Sequence, residues 1–194
     1  MTHLSQFNEV EIIQKFFGSH RGHFIDIGCS SGVSLSNTYE LGLQGWHGLL
    51  VEASPMHFAS LVQNYIHRGG FKFVNGALWI ERKMMQFHLN PYFYSSLIHK
   101  DEPNLFIASY WVQTVTAEDL KAIQPDCDFI SLDIEGADVH VFPSLMLAYP
   151  QCRLVCVEHA NKPDIRKMWA GLFDAHGFKV IAETPENYIA SRKR

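Results

Sequence analysis

Long apolar runs are missing from this 194-residue chain. No stretch approaches the roughly 20 consecutive apolar residues that span a bilayer. The opening MTHLSQFNEVEIIQK also lacks the order of a secretory signal, a basic segment followed by an apolar one. The expectation is a soluble, cytoplasmic protein with no membrane span. Positive charge is scarce too: 16 Lys and Arg against 20 Asp and Glu leave a formal net charge of −4. The only basic cluster, Arg192-Lys193-Arg194, is too short to track a phosphate backbone, which argues against nucleic acid as a main partner. Cysteine is limited to Cys29, Cys127, Cys152 and Cys156, with no zinc-type Cys-x-x-Cys. The closest pair, four apart on an apparent strand, would lie about 13 Å apart, beyond disulfide reach, so reduced buried thiols are expected. Internal repeats and low-complexity segments are absent. With 47% hydrophobic and 19% charged residues, the length favours one domain, 1–194, with a sizeable core.

What is present is an alternation. Short apolar runs at 24–27, 49–51, 71–74, 129–132, 154–157, 178–182 and 188–190 are separated by amphipathic segments. Strands that are apolar throughout, with helices between them, predict a parallel sheet covered on both faces, an α/β doubly wound pattern. Helix signals agree. Ser54-Pro55 is an N-cap followed by proline at the first helical position, and Gly69-Gly70 stops the segment. Thr116 with Asp119 forms a capping-box pattern, and a last helix over 164–176 ends at Gly177. An N-terminal helix is expected within 1–20. Residues 83–114 are rich in aromatics (Phe87, Tyr92, Phe93, Tyr94, Tyr110, Trp111, with Phe106) but weakly periodic. They read either as edge packing or as a loop or lid over a substrate.

In open α/β sheets, ligands bind outside the carboxyl ends of the strands, where the strand order reverses. Those ends here carry Asp26-Ile27-Gly28, Glu52, Asn75-Gly76-Ala77, Asp133-Ile134-Glu135-Gly136 and Glu158-His159. In FIDIGCSSG, Gly28 permits a sharp bend, Ser30 and Ser31 are small enough for a ligand to approach the backbone, and Gly32 lets the next helix pass closely. Glu52 follows Gly32 by 20 residues and ends the second strand, the placement of a carboxylate that takes both hydroxyls of an adenosine ribose. A dinucleotide reader wants Gly-x-Gly-x-x-Gly, because a pyrophosphate rests on bare backbone. This chain has Cys29-Ser30-Ser31 between its two glycines, and an acid at Asp26. That charge suits a cationic cofactor such as S-adenosylmethionine better than a diphosphate.

FIDIGCSSGVSLS, GLLVEASPMHFASL, VNGALW and DFISLDIEGADVHVF, in that order, resemble the motifs of the FkbM-type S-adenosylmethionine-dependent methyltransferases over about residues 22–160. Asp-x-Glu-Gly after the fourth strand is the most telling of them. The chain departs from the family in Cys29-Ser30-Ser31, where Ala-Asn is common, and in Phe142-Pro143, where a Lys-Gly step is common. The resemblance implies a three-layer α/β/α Rossmann-like fold of class I methyltransferases, with a seven-stranded, mostly parallel sheet and the last strand antiparallel. It also implies O-methylation of a hydroxyl on a sugar or small metabolite, with a small-molecule or glycan acceptor. Carried over residue by residue, Gly28, Ser30 and Gly32 would line the methionine and ribose side of the cofactor, with Asp26 also in the cofactor-binding set. Glu52 would hold the ribose diol, and Gly76 and Ala77 would lie near the adenine with Asn75. Asp133 would face the methionine end or the acceptor, with Glu135 close by.

Methyl transfer from a sulfonium needs an aligned acceptor and, for an alcohol, a group that takes its proton. His159 is one candidate base, since imidazole titrates near neutrality. Another is a divalent cation, Mg or Mn, on Asp133, Glu158 and His159, positions similar to those used by some metal-dependent O-methyltransferases. NPYF at 90–93 is similar to the Asn-Pro-Pro-Tyr/Phe motif of base methyltransferases, but that motif belongs directly after the fourth strand, where Asp133 to Gly136 stand. His88, His99 and His140 share no ligand-like spacing. Two rivals stay open: an NAD-dependent Rossmann oxidoreductase, and a catalytically silent cofactor-binding partner domain. Self-association into a homo-oligomer is open as well.

Overall fold

The computed structural model describes residues 5–90, 95–97, 108–159 and 162–193. The helices are α1 (Glu9–Phe17), α2 (Tyr39–Leu43), α3 (Pro55–Tyr65), α4 (Ala117–Ile123), α5 (Asp138–Ala148) and α6 (Pro163–Ala175). The strands are β1 (His23–Ile27), β2 (His47–Glu52), β3 (Phe71–Asn75), β4 (Ala77–Leu78), β5 (Met84–Leu89), β6 (Ala108–Val115), β7 (Phe129–Leu132), β8 (Leu154–Glu158), β9 (Phe178–Glu183) and β10 (Asn187–Arg192). Seven of them form one sheet in the order β3-β2-β1-β7-β8-β10-β9. β10 runs antiparallel to both neighbours, and the other pairs are parallel. This is the Rossmann-like arrangement expected from the sequence, with its switch point between β1 and β7.

Strand alternation builds the three layers. Ile25, Ile27, Leu49, Val51, Ile130, Leu132, Val155 and Val157 point to one face. There they pack with Leu120 of α4, Phe142 and Leu145 of α5, and Trp169 and Phe173 of α6. Phe24, Leu50, Phe129, Leu154 and Cys156 point to the other, against Ile13 and Phe17 of α1, Leu41 of α2, and Leu61 and Tyr65 of α3. Each fully buried aliphatic or aromatic side chain of this kind contributes on the order of 1.5–3 kcal/mol relative to exposure. The helix starts follow local chemistry: Ser54 Oγ accepts the His57 N–H ahead of Pro55, and Thr116 and Asp119 form a reciprocal capping box. α5 runs through Pro143 at the cost of one backbone hydrogen bond.

Among the described residues of 83–114, two strands stand outside the main sheet. β5 and β6 pair antiparallel there and, with β4 beside β6, make a three-stranded sheet of their own. Tyr92, Phe93, Tyr94, His99 and Phe106, and most of NPYF, lie outside the described residues. The N-terminal helix is α1, and its first residue, Glu9, is fully buried. Its carboxylate accepts from the Phe7 N–H at 2.8 Å, from Thr184 Oγ1 at 2.8 Å and from Asn187 Nδ2 at 3.1 Å, joining α1 to the turn between β9 and β10. The four thiols are free and buried, and no helix among the described residues is long and apolar enough to cross a membrane.

Candidate functional site

A cavity of about 410 Å³ opens at the carboxyl ends of β1, β2, β7 and β8. Its size lies within the range of roughly 300–1,000 Å³ that houses small-molecule ligands. The alternation that sorts the core also aims its polar walls. Asp26, Glu52, Ser131, Asp133 and Glu158 share the parity of Phe24, Leu50, Phe129 and Leu154, so all five project toward the α1–α3 side, and all five line the cavity.

Gly28 turns the chain out of β1 at φ +81°, and a Cβ there would overlap the carbonyl oxygen of Asp133. Ser30 follows in the left-handed region at φ +50°. Its N–H donates to Glu52 Oε2 at 2.8 Å, and the Ser54 N–H donates to Glu52 Oε1 at 2.7 Å. Each carboxylate oxygen of Glu52 thus carries one backbone donor and keeps acceptor capacity toward the cavity. Burial raises the pKa of Glu52, and the donors at Ser54 and Ser30 oppose that rise. Asp26 lies deeper. Burial pushes its pKa up to about 6, while hydrogen bonds with Thr38 and Ser131 pull the other way. Thr38 Oγ1 donates to Asp26 Oδ2 at 2.6 Å.

The loop after β7 is fixed by a residue the sequence reading passed over. Asp138, at the start of α5, accepts from the Ile134 N–H at 3.0 Å and the Gly136 N–H at 2.9 Å. Between those two donors Glu135 stands at φ +60°, with its carbonyl held by Ser96 Oγ at 3.1 Å. Asp138 is the first residue of α5 and caps the preceding loop, not the helix, so no helix-start signal in the sequence marks it. Asp133, Glu135 and Glu158 each bring a carboxylate oxygen into a group within 4.8 Å of one another. Asp133 is exposed to the cavity, yet the protein packed around its carboxyl raises its pKa above the usual range: desolvation is the first cause, and the charges of Glu158, Glu135, Asp138 and Asp26 add to it.

Asp26, Gly28, Ser30, Glu52, Gly76, Ala77, Asp133, Glu135 and Glu158 are therefore brought to one cavity. Three expected residues are not. Gly32, at φ +72°, is filled against Leu61 and Tyr65 of α3, and Tyr65 Oη donates to its carbonyl at 2.8 Å. Asn75 turns its amide to the backbone carbonyls of Glu52 and Ala53. His159 has the opposite strand parity to Glu158 and is fully buried. Its ring lies 4.4 Å from that of Tyr188, and its Nε2 donates to the Thr184 carbonyl at 3.2 Å. Burial lowers its pKa. It borders a separate pocket of about 70 Å³, so the carboxylate group forms with Glu135 in the place expected for His159. The sequence reading missed Gln6 and Glu186, which line the cavity and pair with each other at 2.6 Å; Phe87 and Leu97 also line it, and both fall in the 83–114 stretch that the sequence offered as edge packing or a substrate loop.

No family model matches the chain, and no curated protein matches it. Solved structures do share its fold. One is a candidate RNA methyltransferase from Pyrococcus horikoshii, 16% identical with a TM-score of 0.57, the match covering 96% of this chain and 82% of that one. Another is precorrin-6y C5,15-methyltransferase from Geobacter metallireducens, 11% identical with a TM-score of 0.59, covering 100% and 93%. A third is the methyltransferase FkbM from Methylobacillus flagellatus, 12% identical with a TM-score of 0.59, covering 88% of this chain and 43% of that one. At these identities the likeness is one of fold.

Proposed function

We propose that the protein is an S-adenosylmethionine-dependent methyltransferase acting on a hydroxyl of a sugar or small metabolite. The carrying observation is the charge of the cavity: Asp26, Glu52, Asp133, Glu135, Glu158 and Glu186 line it, and among the described residues no lysine or arginine does. Such a wall attracts a sulfonium and repels a pyrophosphate, which disfavours the NAD-dependent alternative. It also disfavours a nucleic-acid acceptor, whose phosphates would meet the same carboxylates. The methyltransferase folds of the structural neighbours support the methyltransferase part of this reading and not its acceptor, since one of them is a candidate RNA methyltransferase; the acceptor class rests on the cavity's charge and the FkbM-like motifs.

The cofactor supplies a methyl group already activated on sulfur. In this reading Gly28 and Ser30 hold the methionine and ribose side, Glu52 takes the ribose diol with its remaining acceptor capacity, and Gly76 and Ala77 border the adenine. Asp26 adds its carboxyl to the cavity wall, while Gly32 and Asn75 act behind this surface by fixing its backbone. Asp133, with its proton affinity raised by desolvation and by the neighbouring carboxylates, takes the acceptor proton, and Glu135 and Glu158 orient the hydroxyl. His159 supports the turn that carries Glu186. A second reading, favoured by the close approach of three carboxylates, gives Asp133, Glu135 and Glu158 an oxygen-only donor set for Mg or Mn. A cation there would acidify a hydroxyl.

Calorimetric titration with S-adenosylmethionine and with NAD tests the reading. Binding of the first and not of the second is expected; the reverse overturns it. Transfer of a labelled methyl group to an extract of small metabolites and glycans separates an enzyme from a catalytically silent partner domain.

A further inference from the structure

Every cofactor contact read from the sequence comes from the ends of the main strands, yet the cavity has another wall. Alternation on the β5–β6 hairpin turns Phe87, Tyr110 and Val112 inward and leaves Gln86, Trp111 and Gln113 outward. Phe87 lies opposite Tyr110, with ring centroids 5.5 Å apart. With Ala77 and Val112, Phe87 forms a small apolar cluster distinct from the two that pack the main sheet, and Ala53, Leu89 and Leu97 pack against it. Of these residues, Ala53, Ala77, Phe87 and Leu97 line the cavity.

The cavity is thus apolar at one end and acidic at the other, where Asp133, Glu135 and Glu158 gather. Glu52 stands at the junction. Ala53 is its neighbour in the chain, and its carbonyl accepts the Gly76 N–H at 3.1 Å. Ala53 also packs in the same cluster as Ala77 and Phe87, which sets the hairpin close to the same carboxylate. β6 can lie that near because residue 76 is glycine: a Cβ there would be 3.1 Å from Val115 Cγ1. A nucleoside whose diol sits on Glu52 has its base one ring away. Of the two ends, only the apolar one suits an uncharged planar base.

We propose that Phe87, carried by the β5–β6 hairpin, closes the slot for the cofactor's adenine, with Leu97 as a second wall. The proposal rests on the cofactor reading above and extends it to an element outside the main sheet. Its test needs no knowledge of the acceptor. Calorimetry with S-adenosylhomocysteine and with adenosine is expected to show that Phe87→Ala weakens both by at least ~fivefold, the scale of a lost base contact. The two factors should be equal, because both probes carry the base. A general loosening of the fold would instead cost S-adenosylhomocysteine more, through its methionine end. Phe87→Leu should recover most of the loss, and Gln86→Ala, on the outer face, should change neither affinity. If Phe87→Ala fails to fold, Leu97→Ala is expected to weaken both probes in the same equal manner. Wild-type affinities in the folded variant overturn the proposal alone. Failure of the wild-type protein to bind either probe overturns the cofactor reading and this proposal with it.

Discussion

A Cβ placed on Gly28 would sit 1.7 Å from the carbonyl oxygen of Asp133, so the turn after β1 and the end of β7 interlock where no side chain fits. Gly28→Ala should therefore cost at least about 3 kcal/mol in urea unfolding, because backbone must move in addition to the strain of φ +81°. Gly136→Ala, at φ +97° with nothing within 4 Å, should cost about 1 kcal/mol. Equal losses would show that the interlock carries no energy.

The two ends of the cavity should separate in kinetics. Glu52→Gln keeps the shape but replaces one carboxylate oxygen with a donor, which opposes either the Ser30 or the Ser54 N–H. S-adenosylhomocysteine affinity should fall by about tenfold or more. Asp133→Asn should leave that affinity unchanged and lower methyl transfer by roughly a hundredfold or more. An equal loss of cofactor binding in both variants contradicts the division of roles.

Asp26 predicts a pH dependence of stability. Its folded pKa of about 6 stands above the ordinary 3.8, so the folded chain retains a proton that the unfolded chain has released. Stability should then fall as pH rises from about 4 to about 6, by up to about 3 kcal/mol from this one group. Asp26→Asn can still accept from Thr38 and should remove that contribution. Urea midpoints at pH 4.5 and pH 7 for both proteins give the comparison, and an unaltered slope in the variant would refute it.

Three carboxylates within 4.8 Å cannot all stay ionised without a proton or a cation among them. With Asp133 as the proton acceptor, turnover should survive prolonged treatment with EDTA. Loss of turnover, restored by Mg²⁺ or Mn²⁺, would move the role to a metal held by the same residues.

Much of the main sheet is legible because its strands are buried on both faces and read as unbroken apolar runs. The run at 129–132 coincides with β7, and the run at 154–157 falls one residue short of β8. β5 and β6 escape that signal. Each has one covered and one exposed face, and their mixed sequence, such as Gln86-Phe87-His88, gives only short alternation. The polar residues at strand ends are legible as a set, but not the direction of each. Glu158 and His159 are adjacent, yet the strand's two-residue period sends one to the cavity and the other to Tyr188 of β10 and the small pocket it shares with Ile165 of α6. Counting that period back from Leu154 would have separated them. Gly32 misleads for a different reason: a ligand and a packed helix both demand glycine, and only the position of Tyr65 tells which is present.

The buried carboxylate of Glu9 ties the two ends of the process by which the chain is made. Its partner Thr184 lies 175 residues later. A chain emerging from the ribosome exposes α1 long before those partners exist, and the carboxylate must stay hydrated until β10 slides between β8 and β9. The hydrogen bonds that join α1 to the turn between β9 and β10 can therefore close only after residue 187 has been made. Loss of the turn between β9 and β10 would strip the buried Glu9 carboxylate of two of its three donors.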